Sequence, residues 1–214
     1  MIVGIAEIGV DLIGCHESIQ RYLIDVTRDR VSDAELSEII TNGMTILALD
    51  FSPDLIAEIR ELSAGFPYFT HLLALNCARI AVLEDRTLID ISHLKEGLVR
   101  AVREAEICIR NSFTKATQVL GNPKYEQILI AAANIDKEMF SKAEICEQFK
   151  LHYDSELSET LWKSAILRFS PSAEVGILTR LKPGIYKFTD PRMVSYKRMR
   201  HAITVVENPS KRFK

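Results

Sequence analysis

The residues able to do chemistry are sparse and scattered. Cys15, Cys77, Cys108 and Cys146 form no C-x-x-C pair, and His16, His71, His93, His152 and His201 are equally dispersed. Neither set has the spacing of a metal site, and Cys15-His16 alone supplies two donors where a structural zinc needs four. The thiols read as reduced cysteines on helix faces, their usual state inside a cell. No G-x-x-x-x-G-K-[ST] loop occurs, so the sequence holds no backbone nest to cradle a triphosphate. Ile46-Leu47-Ala48-Leu49-Asp50 has the outline of an apolar strand ending in a magnesium-binding acid, but the helical period around it assigns it to a helix. No carboxylate pair or carboxylate–histidine pair is placed for acid–base work. No catalytic residue is assigned.

Two patterns carry more. Gly65-Phe66-Pro67-Tyr68 sets a glycine, free to take a positive φ, two residues before a proline suited to a first helical turn. By spacing alone this is a corner between two helices, with Tyr68, Phe69 and Leu72 in the core. The second pattern is a charge gradient. From Leu161 to Lys214 twelve cations face only Glu174, Asp190 and Glu207, a net of +9, so the rest of the chain carries −11 beneath an overall −2. A basic end on an acidic body points to nucleic acid or another acidic surface as partner.

A composition of 47% hydrophobic and 26% charged residues excludes a disordered chain. Its length allows one large or two small domains. No apolar run nears the roughly 20 residues needed to cross a bilayer. The start has neither the basic residues nor the cleavage site of a secretory signal, so the expected location is the cytoplasm, with no membrane partner. Ile2-Val3-Gly4-Ile5-Ala6 and Tyr22-Leu23-Ile24-Asp25-Val26 read as short strands around a helical turn near residues 16–21. A buried strand needs neighbours for its ladder groups, so residues 1–30 read as the end of a sheet. From there the period becomes 3.6. Ser32 and Glu35 form a capping box, and Leu36, Ile39, Ile40, Met44 and Leu47 an apolar stripe. Ser52-Pro53 starts a second helix that ends near Gly65, a third covers 67–83, and a fourth runs over 93–119 from a Ser92 cap. Gly121-Asn122-Pro123 breaks the chain. Three shorter helices follow, over 125–135, from Ser141 to about Phe149, and over 155–169. A hairpin over 175–181 and 185–188 turns at Lys182-Pro183-Gly184, and a last helix covers 191–203. Three helices and a hairpin give the order of a winged helix-turn-helix.

The residues 2–6, the segment from His16 to Tyr22, Val31-Ser32-Asp33-Ala34-Glu35-Leu36 and Gly65-Phe66-Pro67-Tyr68 occur in an order that resembles the second half of a bacterial AAA+/STAND-type ATPase, of the branch related to archaeal ATPases and replication initiators. The resemblance implies a mainly α fold in four parts. These are a remnant of the α/β core (1–30), a four-helix lid (31–120), a winged helix with a β-hairpin wing (121–203) and a basic tail (204–214). Tyr186-x-Phe188-x-Asp190-Pro191 resembles the corner that closes such a winged helix. The resemblance further implies ATP as cofactor, bound only together with an upstream core, and no metal held by this chain alone. Gly65 and Pro67 match the turn whose proline packs on adenine. Glu7 stands where the family has a polar sensor, usually Asn or Thr. Arg21 lies near an arginine that reaches a γ-phosphate in some relatives, and equally fits a surface cation. The phosphate loop and magnesium-binding acid have no counterpart here, so the chain reads as a truncated ATPase, a fragment or half of a split gene, inactive alone.

For nucleic acid the candidates are Lys163 and Arg168 on the third short helix, Arg180, Lys182 and Lys187 in the wing, and Lys197, Arg198 and Arg200 after it. They suit phosphate contacts without base readout, because few other side chains of the 155–169 helix suit base edges. A solvated basic face or a protein-docking surface fits them equally, and Trp162 fits a core anchor. The expected function is a lid and winged helix that couple nucleotide state to DNA or partner binding, with an upstream ATPase core among the expected partners. The alternatives are a stand-alone winged-helix DNA-binding regulator and a protein-interaction module.

Overall fold

The computed structural model describes residues 30–117, 123–170 and 176–207. The chain divides into two compact units, Met1–Arg30 and Val31–Lys214. The expected strands over 2–6 and 22–26, the turn over 16–21, Glu7, Arg21 and the tail beyond 207 lie outside the described residues. The second unit is mainly α.

Helix α1 (Asp33–Leu47) begins at Ser32, whose hydroxyl accepts from the Glu35 amide while the Glu35 carboxylate accepts from the Ser32 amide. The two helical N–H groups so satisfied are ones that the helix itself leaves unpaired. Its inner face buries Leu36 and Ile40, whereas Leu47, at the end, is 56% exposed. Ala48 turns left-handed at φ 53°, and the chain passes into β1 (Asp50–Phe51). The helix expected over Ile46 to Asp50 therefore stops at Leu47. Strand β1 pairs in parallel with β2 (Leu88–Ile89), Asp50 opposite Leu88 and Phe51 opposite Ile89. Strands of two residues leave no period to read, and their partners here lie far apart in sequence.

Helix α2 (Pro53–Ser63) is capped by Ser52 and buries Leu55, Ile59 and Leu62 at helical spacing. Helix α3 (Pro67–Leu83) is apolar on most sides, as a central helix must be. It packs against α1, α2 and α4 and buries Phe69, Leu73, Cys77 and Ile80. A short 3₁₀ turn (Ile91–His93), capped by Asp90 and not by Ser92, leads into α4 (Leu94–Glu104). The single helix expected over 93–119 is two, because Ala105 takes an extended ψ of 150° before α5 (Ile107–Thr117). Gly97 of α4 faces Cys77 of α3, and a Cβ there would lie 2.6 Å from the Cys77 sulfur. Glycine is what lets these two helices approach so closely.

Helix α6 (Lys124–Ala133) buries every residue from Ile128 to Ala133. Strand β3 (Phe140–Ser141) precedes α7 (Lys142–Tyr153), which starts with the expected capping box of Ser141 and Glu144. Helix α8 (Glu159–Phe169) takes Ser158 as its cap, three residues later than Ser155. Strands β4 (Leu178–Lys182) and β5 (Ile185–Phe188) form the hairpin, with Gly184 at φ 78° in the turn. Strand β3 joins the hairpin's outer edge, giving the antiparallel order β3-β5-β4. Trp162 anchors α8 on this sheet, edge-on to Tyr186 at 5.4 Å, and Phe140 meets Phe188 at 5.6 Å. Helix–strand–helix–helix–hairpin is the element order expected for a winged helix, with β3 as the strand that sequence did not reveal. Helix α9 (Met193–Glu207) then returns to pack on α2, α4, α5 and α6. One hydrophobic core runs continuously from Ile40 to Met199. No helix among the described residues is long and apolar enough to cross a membrane.

Candidate functional site

The Gly65–Pro67 corner is built by two consecutive left-handed residues. Ala64 sits at φ 49° and Gly65 at φ 81°, so α2 ends sharply, and Pro67 opens α3 as its first residue. The Phe66 amide donates to the Ser63 carbonyl at 3.0 Å, and the Val31 amide donates to the Gly65 carbonyl at 3.1 Å, which ties the entry of α1 to the turn. Gly65, Phe66, Pro67 and Tyr68 are half-buried, while Phe69 is fully buried against the edge of Tyr68 at 4.9 Å. The corner presents a proline ring and aromatic carbon, a surface suited to a flat apolar group. Residues 64–68 carry no charge that would meet a phosphate. Glu7 and Arg21 fall outside the described residues, and no cluster of His, Cys, Asp or Glu among the described residues could hold a metal ion.

Helix α9 grips this corner from behind. The Ser195 hydroxyl donates to the carbonyl of Ser63 at 2.6 Å, and the Arg198 guanidinium donates to the carbonyl of Glu61 at 3.1 Å. Both acceptors lie in the last turn of α2, where carbonyls have no helical partner and the helix dipole favours a cation. Arg198 also donates to the Ala133 carbonyl at 3.2 Å, the last residue of α6. Arg192, at the start of the same segment, spans Asp190 at 2.9 Å and Glu106 at 2.8 Å, joining the hairpin-to-helix corner to the α4–α5 junction.

The basic candidates separate into two groups. Lys163, Arg180 and Lys182 are exposed. The other five are engaged by groups of the protein itself, two of them buried and three partly exposed. Arg168 donates to the carbonyls of Ala116, at 2.9 Å, and Lys115, in the last turn of α5. Lys187 is 8% exposed in the central strand of the sheet. Arg198 is engaged as above. Lys197 is fully buried, its Nζ 3.2 Å from Glu126 of α6 and 4.1 Å from the centre of the Phe113 ring of α5. The Arg200 guanidinium lies 4.7 Å from the same ring, with its Nε 3.7 Å from the same carboxylate. Burial pulls the Lys197 amine down to about 7, against the opposing pull of Glu126. By charge alone this run reads as a surface cluster. The signal against that was available, since Lys197 and Arg200 share the 3.6-residue face of Met193 and Tyr196. Glu126 and Phe113 carried no such signal.

No family model matches the sequence, and no curated protein matches it. Among solved structures the chain matches the crystal structure of Cdc6p from Pyrobaculum aerophilum at 14% identity, covering 81% of this chain and 50% of that chain with a TM-score of 0.29. The chain thus spans half the length of that solved chain, and a likeness so slight assigns neither family nor function.

Proposed function

We propose that this chain is the lid and winged-helix portion of an AAA+/STAND-type ATP-binding protein, and that it couples nucleotide state to binding of DNA or a protein partner. The observation that carries the reading is the grip of α9 on the last turn of α2, one turn before Gly65 and Pro67. A movement of the corner on nucleotide would pull directly on Ser63 and Glu61, and through Ser195 and Arg198 on the helix that follows the wing. In this reading adenine packs on Pro67, and Gly65 sets the turn. Glu7 and Arg21 are the phosphate-side candidates that the family resemblance implies, and the phosphate loop and magnesium site would come from a separate core. Nucleotide supplies the energy that separates the two lid positions, and the chain's own residues transmit it. The purified chain is expected to hydrolyse no ATP.

DNA contacts fall to Lys163, Arg180 and Lys182, the exposed members of the basic set. Titration of labelled duplex DNA over a range of salt tests this. Each phosphate contact contributes about 0.9 to the slope of log K against log salt, so replacing all three by alanine should lower the slope by about 3. A slope unchanged by the triple variant removes the DNA arm. A protein partner is favoured by Leu167, 74% exposed on the outward face of α8 where a DNA reader would place polar groups. Binding of the partner would then be insensitive to salt and lost on Leu167→Glu.

A further inference from the structure

Three helices meet at the ring of Phe113. It comes from α5, Glu126 from α6, and Lys197 and Arg200 from α9. The arrangement sets two cations against one carboxylate, and the member closest to both ring and carboxylate, Lys197, has no exposed surface. Were the amine charged, the cluster would hold a net +1, with its Lys197 charge fully buried while Glu126 and Arg200 keep part of their side chains in water. With the amine neutral, Arg200 and Glu126 balance. Burial of an ammonium beside a second cation is costly, and the neutral form escapes that cost.

We propose that Lys197, Glu126 and Arg200 on the Phe113 ring form a proton-operated latch, closed around a neutral Lys197 amine and loosened when that amine takes up a proton. The inference stands apart from any reading of nucleotide or DNA, because it concerns only how α9 is held. Its consequence reaches the corner all the same, since α9 carries the Ser195 and Arg198 bonds to the end of α2.

The groups that act on Lys197 are few. Glu126 on α6 favours its charged form, and Arg200 on α9 opposes it. Helix α5 offers the face of the Phe113 ring, which attracts a cation. Arg198, the neighbouring cation on α9, is turned to α2, to Ala133 and to Asp136. Tyr153 of α7 lies within the field of Glu126, and burial holds its phenol neutral. Burial dominates this set and brings the amine to about 7, whereas a released lysine titrates near 10.5. The folded amine is therefore the weaker base. Stability of the docked helix rises as pH rises through 7, and below 7 the penalty is constant. With a docked midpoint at about 7, linkage makes docking about tenfold tighter at pH 8 than at pH 6.

Amide hydrogen exchange of the α9 backbone, normalised to the intrinsic rate at each pH, reads the latch directly. Protection in the wild-type chain should rise about tenfold from pH 6 to pH 8. Lys197→Met, which keeps the volume and removes the charge, should show no such rise and stay at or above the wild-type level at pH 8. Lys197→Arg, which cannot lose its proton, should stay at or below the low-pH level. A wild-type profile flat between pH 6 and 8, or a Lys197→Met profile that keeps the rise, overturns the proposal. If either variant fails to fold, nuclear magnetic resonance titration of the Lys197 side chain in the wild-type chain decides. A midpoint near neutrality sustains the latch, and an amine still fully charged at pH 8 sinks it.

Discussion

The contact between Gly97 and Cys77 gives the sharpest test of how the helical core is assembled. An alanine at 97 would place its Cβ 2.6 Å from the Cys77 sulfur, with the Cys77 amide nitrogen and Cα at 3.4 and 3.6 Å. Favourable contact needs about 3.5–4.0 Å, so the shortfall against sulfur is about 1 Å while the backbone contacts are tolerable. Cys77 is fully buried, and burial pushes its thiol up to about 12, so it acts as a neutral apolar side chain. Overpacking of this kind costs about 1–3 kcal/mol. Exchanging glycine for alanine inside a helix returns about 1 kcal/mol. Gly97→Ala should therefore destabilise by about 0–2 kcal/mol, a fall of up to about 8 °C in Tm for a chain of this size. Cys77→Ala alone should cost about 1 kcal/mol for the lost sulfur. In the double variant the clash is gone and the helix gain remains, so it should match Cys77→Ala or exceed it. The coupling between the sites is then about 2 kcal/mol in the direction of rescue. Urea denaturation followed by far-ultraviolet circular dichroism measures all four corners of the cycle. A coupling within 0.5 kcal/mol of zero would refute the account of α3 and α4.

Two further outcomes follow from the caps and the corner. Gly65 holds φ 81°, so Gly65→Ala should cost about 1–2 kcal/mol by forcing a side chain into the left-handed region, while Gly43→Ala, with open space around it, should stabilise; thermal melts compare them. Lys137 first, then the Ser141 amide and hydroxyl, lower Glu144 to about 2, so its carboxylate strengthens the α7 cap above the unfolded value near 4.5 and loses that contribution as pH falls toward 2. The Tm gap between wild type and Glu144→Gln should narrow steadily between pH 5 and pH 2, and a constant gap would contradict it.

Helix starts were legible because capping is local chemistry. Ser32 with Glu35, Ser52 with Pro53, and Ser141 with Glu144 all cap the helices they were expected to cap. The corner at Gly65 and Pro67 and the hairpin turn at Gly184 were legible for the same reason, since each depends on a backbone conformation that one residue type prefers. The break at Ala105 was not, because alanine gives no local cue and the bend follows from how α4 and α5 pack. Strands β1, β2 and β3, two residues each, were hidden because their only determinant is a partner distant in sequence. The candidate site was half legible. Its turn stood out by residue type, while the α9 contacts to Ser63 and Glu61 use backbone acceptors that every residue carries.

The basic end changes meaning once its partners are known. Charge counting takes each cation as surface potential, yet three helices have their last-turn carbonyls bound by arginines from this segment. Arg168 serves α5, and Arg198 serves both α2 and α6. Such cations satisfy orphan acceptors and oppose the helix dipoles, and so build the junction between the helical part and the hairpin part. Replacing Arg168, Arg198 or Lys197 would weaken that junction as well as remove charge, so a loss of DNA binding in those variants would say nothing about contact with phosphate. Lys163, Arg180 and Lys182 have no such duty among the bonds described. A change in salt slope on their replacement, with Tm unchanged, is what distinguishes a nucleic-acid surface from a scaffold of cations, and the two roles are separable in this chain because its inward and outward cations are different residues.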